Sequence, residues 1–342
     1  MRQSQQYYLI LKKTMITGFN IGQMQHFLAM SNKGNADLTP AQIKKIMKVT
    51  PPEWLTSMRY SGTFSNTMNL SEIGFGVQEI VIPLWTQLYG KLYPSLFDKL
   101  KMLKWSITKD YSAIDNALKK YVTSSYIENM YNVYTKMKVE NFHFTFNSHT
   151  PFLGKCNLED SLATLRYVKD NFNIKTVELE NETYLSDYLT GGQKAPFMAN
   201  IDAFIKYLDL TVIPAIREIV GDGVEIGISM CQPHNKVWKY WRKRALELAS
   251  KHNLFLAPHI YIKKNTDIEM LNELNNELSE LQDFDIYITE FSTLPEAGTV
   301  SQEQEYIFMR KFSEFANKKE NVKGIFKHTL FVPQTNHYSF VK

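Results

Sequence analysis

The sequence predicts an α/β protein, a (β/α)8 TIM barrel with a helical insertion after its second strand. Three observations carry that expectation. Short β-rich runs alternate with longer helical patterns, the order that builds a parallel sheet from βα units. The count reaches eight strands with helices between them. The fourth and seventh of these runs each deliver a glutamate at their C-terminal end, Glu182 and Glu290, where such a barrel gathers its chemistry.

Met15–Ile21 reads as the first strand, and it places Asn20 at its end. Pro40–Met47 is helical, with Thr39 as its cap. Thr56–Tyr60 is the second strand, leading into Ser61-Gly-Thr-Phe-Ser-Asn66. Residues 67–138 are too many for one crossover and carry helical segments with Trp85 and Trp105, so they are expected to form an insertion. Val139–Phe146 is the third strand, with Phe142, Phe144 and Phe146 alternating, and Asn157-Leu-Glu-Asp160 opens the next helix as a capping box. Thr176–Glu180 is the fourth strand and Ile201–Val220 its helix. Val224–Met230 is the fifth, followed by Cys231-Gln-Pro-His-Asn235 and a helix capped by Asn235 that runs to about His252. Leu254–Tyr261 is the sixth, then an acidic amphipathic helix over Asp267–Leu281. Asp285–Glu290 is the seventh, Gln302–Asn317 a helix, and Val322–Phe331 the eighth strand. The domain spans residues 14–342, with 1–13 as an N-terminal extension.

Bulk properties narrow the function classes. The chain of 342 residues fits one barrel of roughly 250 residues plus insertions. Its net charge of +4 is too small and too scattered to argue for nucleic acid. No run approaches the ~20 apolar residues of a membrane span. Cys156 and Cys231 cannot form a disulfide framework for a chain of this size. The apolar core of the N-terminus, Tyr7–Leu11, is shorter than the ~7–15 residues of a signal peptide. The expectation is a soluble protein without a signal peptide, cytoplasmic or held in a larger assembly such as a virion.

The strand ends carry the chemistry. Thr176-Val-Glu-Leu-Glu-Asn-Glu182 closes with an Asn-Glu pair and Ile286-Tyr-Ile-Thr-Glu290 with a Thr-Glu pair. Between them, Pro258-His-Ile-Tyr261 turns His259 and Tyr261 to one face by strand alternation. Glycoside hydrolysis needs two carboxyls, one protonated as general acid and one ionised, and at ~5–5.5 Å separation the second acts as nucleophile. No His-x-His or His-Glu-x-x-His pair is present, so no metal and no cofactor is expected, although His149, His234 and His259 stand near strand ends.

These motifs resemble the clan of retaining (β/α)8 glycoside hydrolases that holds cellulases, β-xylosidases, β-glucuronidases and heparanase. The resemblance implies that Glu182 is the acid/base and Glu290 the nucleophile, and that Asn181 meets the sugar 2-hydroxyl. Met58-Arg59-Tyr60-Ser61-Gly62-Thr63 is similar to the clan's second-strand motif, which makes Arg59 an orienting residue for the nucleophile. His259 and Tyr261 match the sixth-strand His-x-Tyr, the tyrosine bonding the nucleophile. Phe146-Asn147 and Gln232-Pro233 look most like the heparanase and β-glucuronidase branch, and with Asn20 they add Asn147 and Gln232 to the expected sugar contacts.

There are departures. Glu180 stands where the clan has glycine, Thr63 replaces a second glycine, and the eighth strand offers Phe326, His328 and Phe331 in place of a tryptophan platform. They feed a rival expectation, a catalytically silent barrel that binds carbohydrate or serves as a structural module of a larger assembly.

Overall fold

The computed structural model describes residues 15–21, 38–60, 126–154, 157–186, 197–262, 266–293, 301–328 and 330. Eight strands close into a barrel in sequential order, and every neighbouring pair is parallel. They are β1 Ile16–Asn20, β2 Ser57–Tyr60, β3 Asn141–Thr145, β4 Ile174–Glu178, β5 Glu225–Met230, β6 Phe255–Ile262, β7 Ile286–Thr293 and β8 Val322–His328. Around them lie α1 Pro40–Val49, α2 Tyr126–Lys136, α3 Leu158–Asn171, α4 Phe197–Tyr207, α5 Ile213–Val220, α6 Lys236–His252, α7 Asp267–Leu278 and α8 Gln302–Ala316. Among the described residues no helix is long and apolar enough to cross a membrane.

The helix starts follow local chemistry. Thr39, Asn157 and Ser301 form capping boxes with Gln42, Asp160 and Gln304, and the Asn235 side chain accepts from the Trp238 amide at 2.9 Å. The helix expected after β4 is present and runs from α4 into α5 through a π turn over Leu208–Val212. Pro214 is the reason. It brings no amide hydrogen and crowds the preceding turn, and the widened turn absorbs both defects. Of the expected insertion, residues 67–125 lie outside the described residues. Its last stretch is α2, whose Tyr134 packs on Phe142 of β3 and on Phe172 at the end of α3.

The two faces of each strand have separate tasks. Phe142 turns outward to Tyr134 and Phe172, and Phe291 stacks on Phe312 of α8 at 4.2 Å. Inward-facing Phe255, Tyr287 and Phe326 fill the N-terminal half of the barrel, with His143 against Phe326 at 4.6 Å. The Phe255 and Tyr287 rings fit because the neighbouring strands carry glycine at the paired positions, Gly227 and Gly324. A Cβ on Gly227 would stand 2.1 Å from the Phe255 ring, and one on Gly324 2.7 Å from Tyr287. Gly227→Ala is therefore expected to destabilise by about 1–3 kcal/mol through overpacking. Thermal melts of Gly227→Ala with and without Phe255→Leu check this. The double variant should recover part of the loss, and no loss in the single variant would refute the packing argument.

One irregularity positions the site. Alternation along β7 from the inward Tyr287 would turn Glu290 outward. Against β6, where Leu256 pairs Ile286 and His259 pairs Glu290, β7 carries one residue more. Against β8, where Ile288 pairs Ile325 and Phe291 pairs Lys327, it again carries one more. This bulge resets the alternation, so Glu290 faces the barrel axis while Phe291 faces α8.

Candidate active site

Seven of the residues marked out by the sequence converge at the C-terminal end of the barrel. Glu290 is buried, with 4% of its side chain exposed. Its Oε1 accepts from Asn20 Nδ2 of β1 at 2.8 Å and from the Arg59 guanidinium of β2 at 3.1 Å. Its Oε2 accepts from the Tyr261 hydroxyl of β6 at 2.5 Å. Burial alone would push this carboxyl up. Facing His259, His328 and Arg59, together with the Tyr261 hydrogen bond, outweigh burial and hold it well below the usual carboxylate range, so it is ionised.

Glu182 lies past the end of β4 in a left-handed backbone conformation, φ 50° and ψ 32°. A non-glycine residue there is uncommon, and such strain of about 1–3 kcal/mol clusters at functional sites. Its Oε1 meets His259 Nδ1 at 2.8 Å and accepts from the Tyr184 hydroxyl at 3.3 Å. With 23% of its side chain exposed, Glu182 is the more accessible of the two acids.

His259 stands between the acids, 3.5 Å from Glu290 Oε2 on the same nitrogen that meets Glu182. Burial would strip its proton, but the two carboxylates outweigh burial and raise its pKa above that of a free histidine. One ligand atom each from Glu182, His259 and Glu290 lies within 4.8 Å of the other two. The two carboxylates thus approach one another to 4.8 Å or less. The same trio has the composition of a cation site, a cluster that sequence spacing does not reveal.

Arg59 organises the floor. Its Nε and one terminal nitrogen donate to Glu178 Oε2 at 2.8 and 2.6 Å, and that nitrogen also reaches Asn181 Oδ1 at 2.9 Å. The other terminal nitrogen donates to Glu290 and to the Thr289 carbonyl. All five donors of the guanidinium are engaged. Two expected sugar contacts sit elsewhere. Gln232 lies in the adjoining cleft and donates to Glu273 at 3.4 Å, whereas the Asn147 amide oxygen caps a helical turn by accepting from Thr150 N and Oγ1.

Three participants were not assigned a role from sequence. Glu178 is the buried partner of Arg59, His328 lies 3.6 Å from Glu290, and Tyr184 touches Glu182. Glu178 shares the strand parity of Thr176, which faces the barrel interior at His143, and that parity was the available clue.

Glu180, the residue departing from the clan pattern, stays out of the cluster. It is wholly buried, and its Oε1 accepts from the Ser229 amide at 3.1 Å and hydroxyl at 2.9 Å. Burial, against those bonds, pushes its carboxyl up to about 8. An unfolded glutamate titrates near ~4.3, so between these values the folded chain holds a proton that the unfolded chain has lost. The stability this contributes is complete below the unfolded value and is lost as pH rises through about 8. Glu180→Gln should therefore flatten the alkaline decline in melting temperature between pH 6 and 9. Parallel pH dependence in the variant and the wild type would exclude Glu180 as its source.

A cleft of about 520 Å³ opens beside Glu182, lined among others by His259 and Tyr261 of β6 and by Glu273 and Glu277 of α7. Its Glu277 is pushed by burial, against Arg242 and a bond from Gln232, up to about 7.

No protein-family model matches the chain, and no curated protein matches it in sequence. Among solved structures it is similar to a family 1 β-glucosidase from Thermotoga maritima solved with isofagomine lactam, at 12% identity and TM-score 0.45, over 95% of this chain and 86% of that one. A β-glucosidase from Pyrococcus furiosus aligns at 11% identity and TM-score 0.41, over 92% and 86%. A GH128 (subgroup VI) exo-β-1,3-glucanase from Aureobasidium namibiae aligns at 15% identity and TM-score 0.39, over 60% and 71%. Likenesses this distant carry no argument about chemistry, which rests on the site itself.

Proposed function

We propose that the protein is a glycoside hydrolase that acts with retention of anomeric configuration. The observation that carries this reading is the approach of the Glu182 and Glu290 carboxylates to within 4.8 Å across the barrel's C-terminal end. Retaining pairs stand at ~5–5.5 Å, whereas inverting pairs need ~6.5–9.5 Å to admit a water. Glu290, ionised and oriented by Asn20, Arg59 and Tyr261, attacks the anomeric carbon as the glycosidic bond breaks. Glu182 supplies the proton to the leaving oxygen. It then takes one from water, which displaces Glu290 from the glycosyl-enzyme. His259, hydrogen-bonded to Glu182, is placed to exchange that proton with it. Arg59 and the positively biased His259 already neutralise the carboxylates, which favours proton chemistry over a cation between them.

A second reading has its own observation. Glu290 is 96% covered and both its oxygens are engaged, as in a barrel that has kept its pocket without turnover. Mechanism-based labelling separates the two. With gluco-, xylo- and glucurono-configured fluorosugar or cyclophellitol probes, the proposed activity requires a covalent adduct on Glu290, located by intact mass and peptide mapping. A folded protein that takes no label from any probe would favour the silent barrel.

A further inference from the structure

We propose that the cleft beside Glu182 is a subsite for the leaving-group sugar, built to take a neutral or amino-bearing residue and to reject a uronic acid. This rests on the glycosidase reading above and adds a substrate class to it.

The side of the bond follows from the lining. Glu182 forms part of the wall, and the described lining does not include Glu290. A sugar seated there lies next to the group that protonates the leaving oxygen. The volume of about 520 Å³ falls in the ~300–1,000 Å³ range of small-molecule sites.

The chemistry of the walls sets the selectivity. Glu273 and Glu277 line the cleft together with Glu182, and no lysine or arginine is among the described lining residues. Arg242, whose charge Glu277 feels, is committed elsewhere, to the Cys231 carbonyl at 3.2 Å and to the exposed Glu280 at 3.3 Å. A substrate carboxylate in this cleft would face Glu273 and the part-ionised Glu277, joined by Glu182 once it has given up its proton, with His259 the one positive group among the described lining residues; an ammonium would be attracted by the acids.

His259 adds an unpartnered polar atom. The residue is 8% exposed, and its Nδ1 edge is turned to the glutamates. The opposite Nε2 is buried without a hydrogen-bond partner among the described residues, on a side chain that lines the cleft. A protonated imidazole carries a hydrogen there, and a sugar hydroxyl oxygen would accept it. Trp238, fixed at the start of α6 by the Asn235 cap and set edge-on to Tyr184 at 5.4 Å, adds an aromatic wall.

The test uses the intact protein and separates the two layers of the argument. A 2-deoxy-2-fluoroglycosyl fluoride releases only fluoride, which leaves the subsite empty, so labelling of Glu290 tests the glycosidase reading alone. On the labelled protein, methyl glycosides of glucose, glucosamine and glucuronic acid are compared as acceptors. The acceptor hydroxyl attacks the anomeric carbon, Glu182 takes its proton, and the Glu290 carboxylate departs. The concentration giving half-maximal discharge reports subsite affinity.

The glucuronide should require on the order of tenfold more than the glucoside, and the glucosaminide no more than the glucoside. Raising the salt concentration should shrink the difference in the wild type, and Glu273→Gln with Glu277→Gln should shrink it further. Labelling followed by equal or tighter use of the glucuronide, or by a preference insensitive to salt, would overturn the subsite and leave the glycosidase reading standing. If nothing labels, the same three sugars are titrated by NMR against the unlabelled protein. The same order of affinities then supports the subsite without the activity, and its absence removes both.

Discussion

Glu290→Gln is expected to abolish covalent labelling and to lower kcat/KM by about 10⁴-fold or more, the scale on which nucleophile losses are felt. Glutamine keeps the shape and one acceptor oxygen for Asn20 and Arg59, so the fold should persist. It lacks the negative charge needed to form the ester with the anomeric carbon, and its amide cannot accept the Tyr261 hydroxyl proton. Steady-state kinetics on the substrate class identified by labelling, beside a thermal melt, separates chemistry from stability. Full activity in a folded Glu290→Gln protein would refute the assigned role.

Arg59→Met should produce the largest stability loss of any substitution at the site. Arg59 is 1% exposed, and its five donors serve Glu178, Glu290, Asn181 and the Thr289 carbonyl. Removing the cation leaves buried Glu178 without its partner and Glu290 held only by His259, Asn20 and Tyr261, and breaking a buried ion pair typically costs about 3–5 kcal/mol. Chemical denaturation measures it, and Glu178→Gln in the Arg59→Met background should restore part of the loss by discharging one orphaned acid. A single variant as stable as the wild type would mean that water or neighbouring residues replace the guanidinium.

The barrel was legible because its elements are local. Alternating apolar runs, the capping boxes at Thr39 and Asn157 and the Asn235 cap each arise within a few residues of chain, where periodicity and side-chain chemistry speak directly. After β4 the expected helix is helical throughout, and only the π turn ahead of Pro214, where the chain widens, has no signal in the apolar periodicity. At the site, Asn20, Arg59, Asn181, Glu182, His259, Tyr261 and Glu290 were legible as residues at strand ends, and the structure joins them in one hydrogen-bonded cluster.

The sequence by itself determined the eight-stranded order, the strands that carry acids and the residue types at their ends, since these follow from the pattern along the chain. Only the tertiary structure decided how the acids stand. The β7 bulge turns Glu290 inward, the left-handed backbone sets the aim of Glu182, and Arg59 is shared between Glu178 and Glu290. The bulge depends on how β7 registers with its neighbours, where one residue reverses every side chain that follows, and the sharing of Arg59 depends on strands distant in sequence.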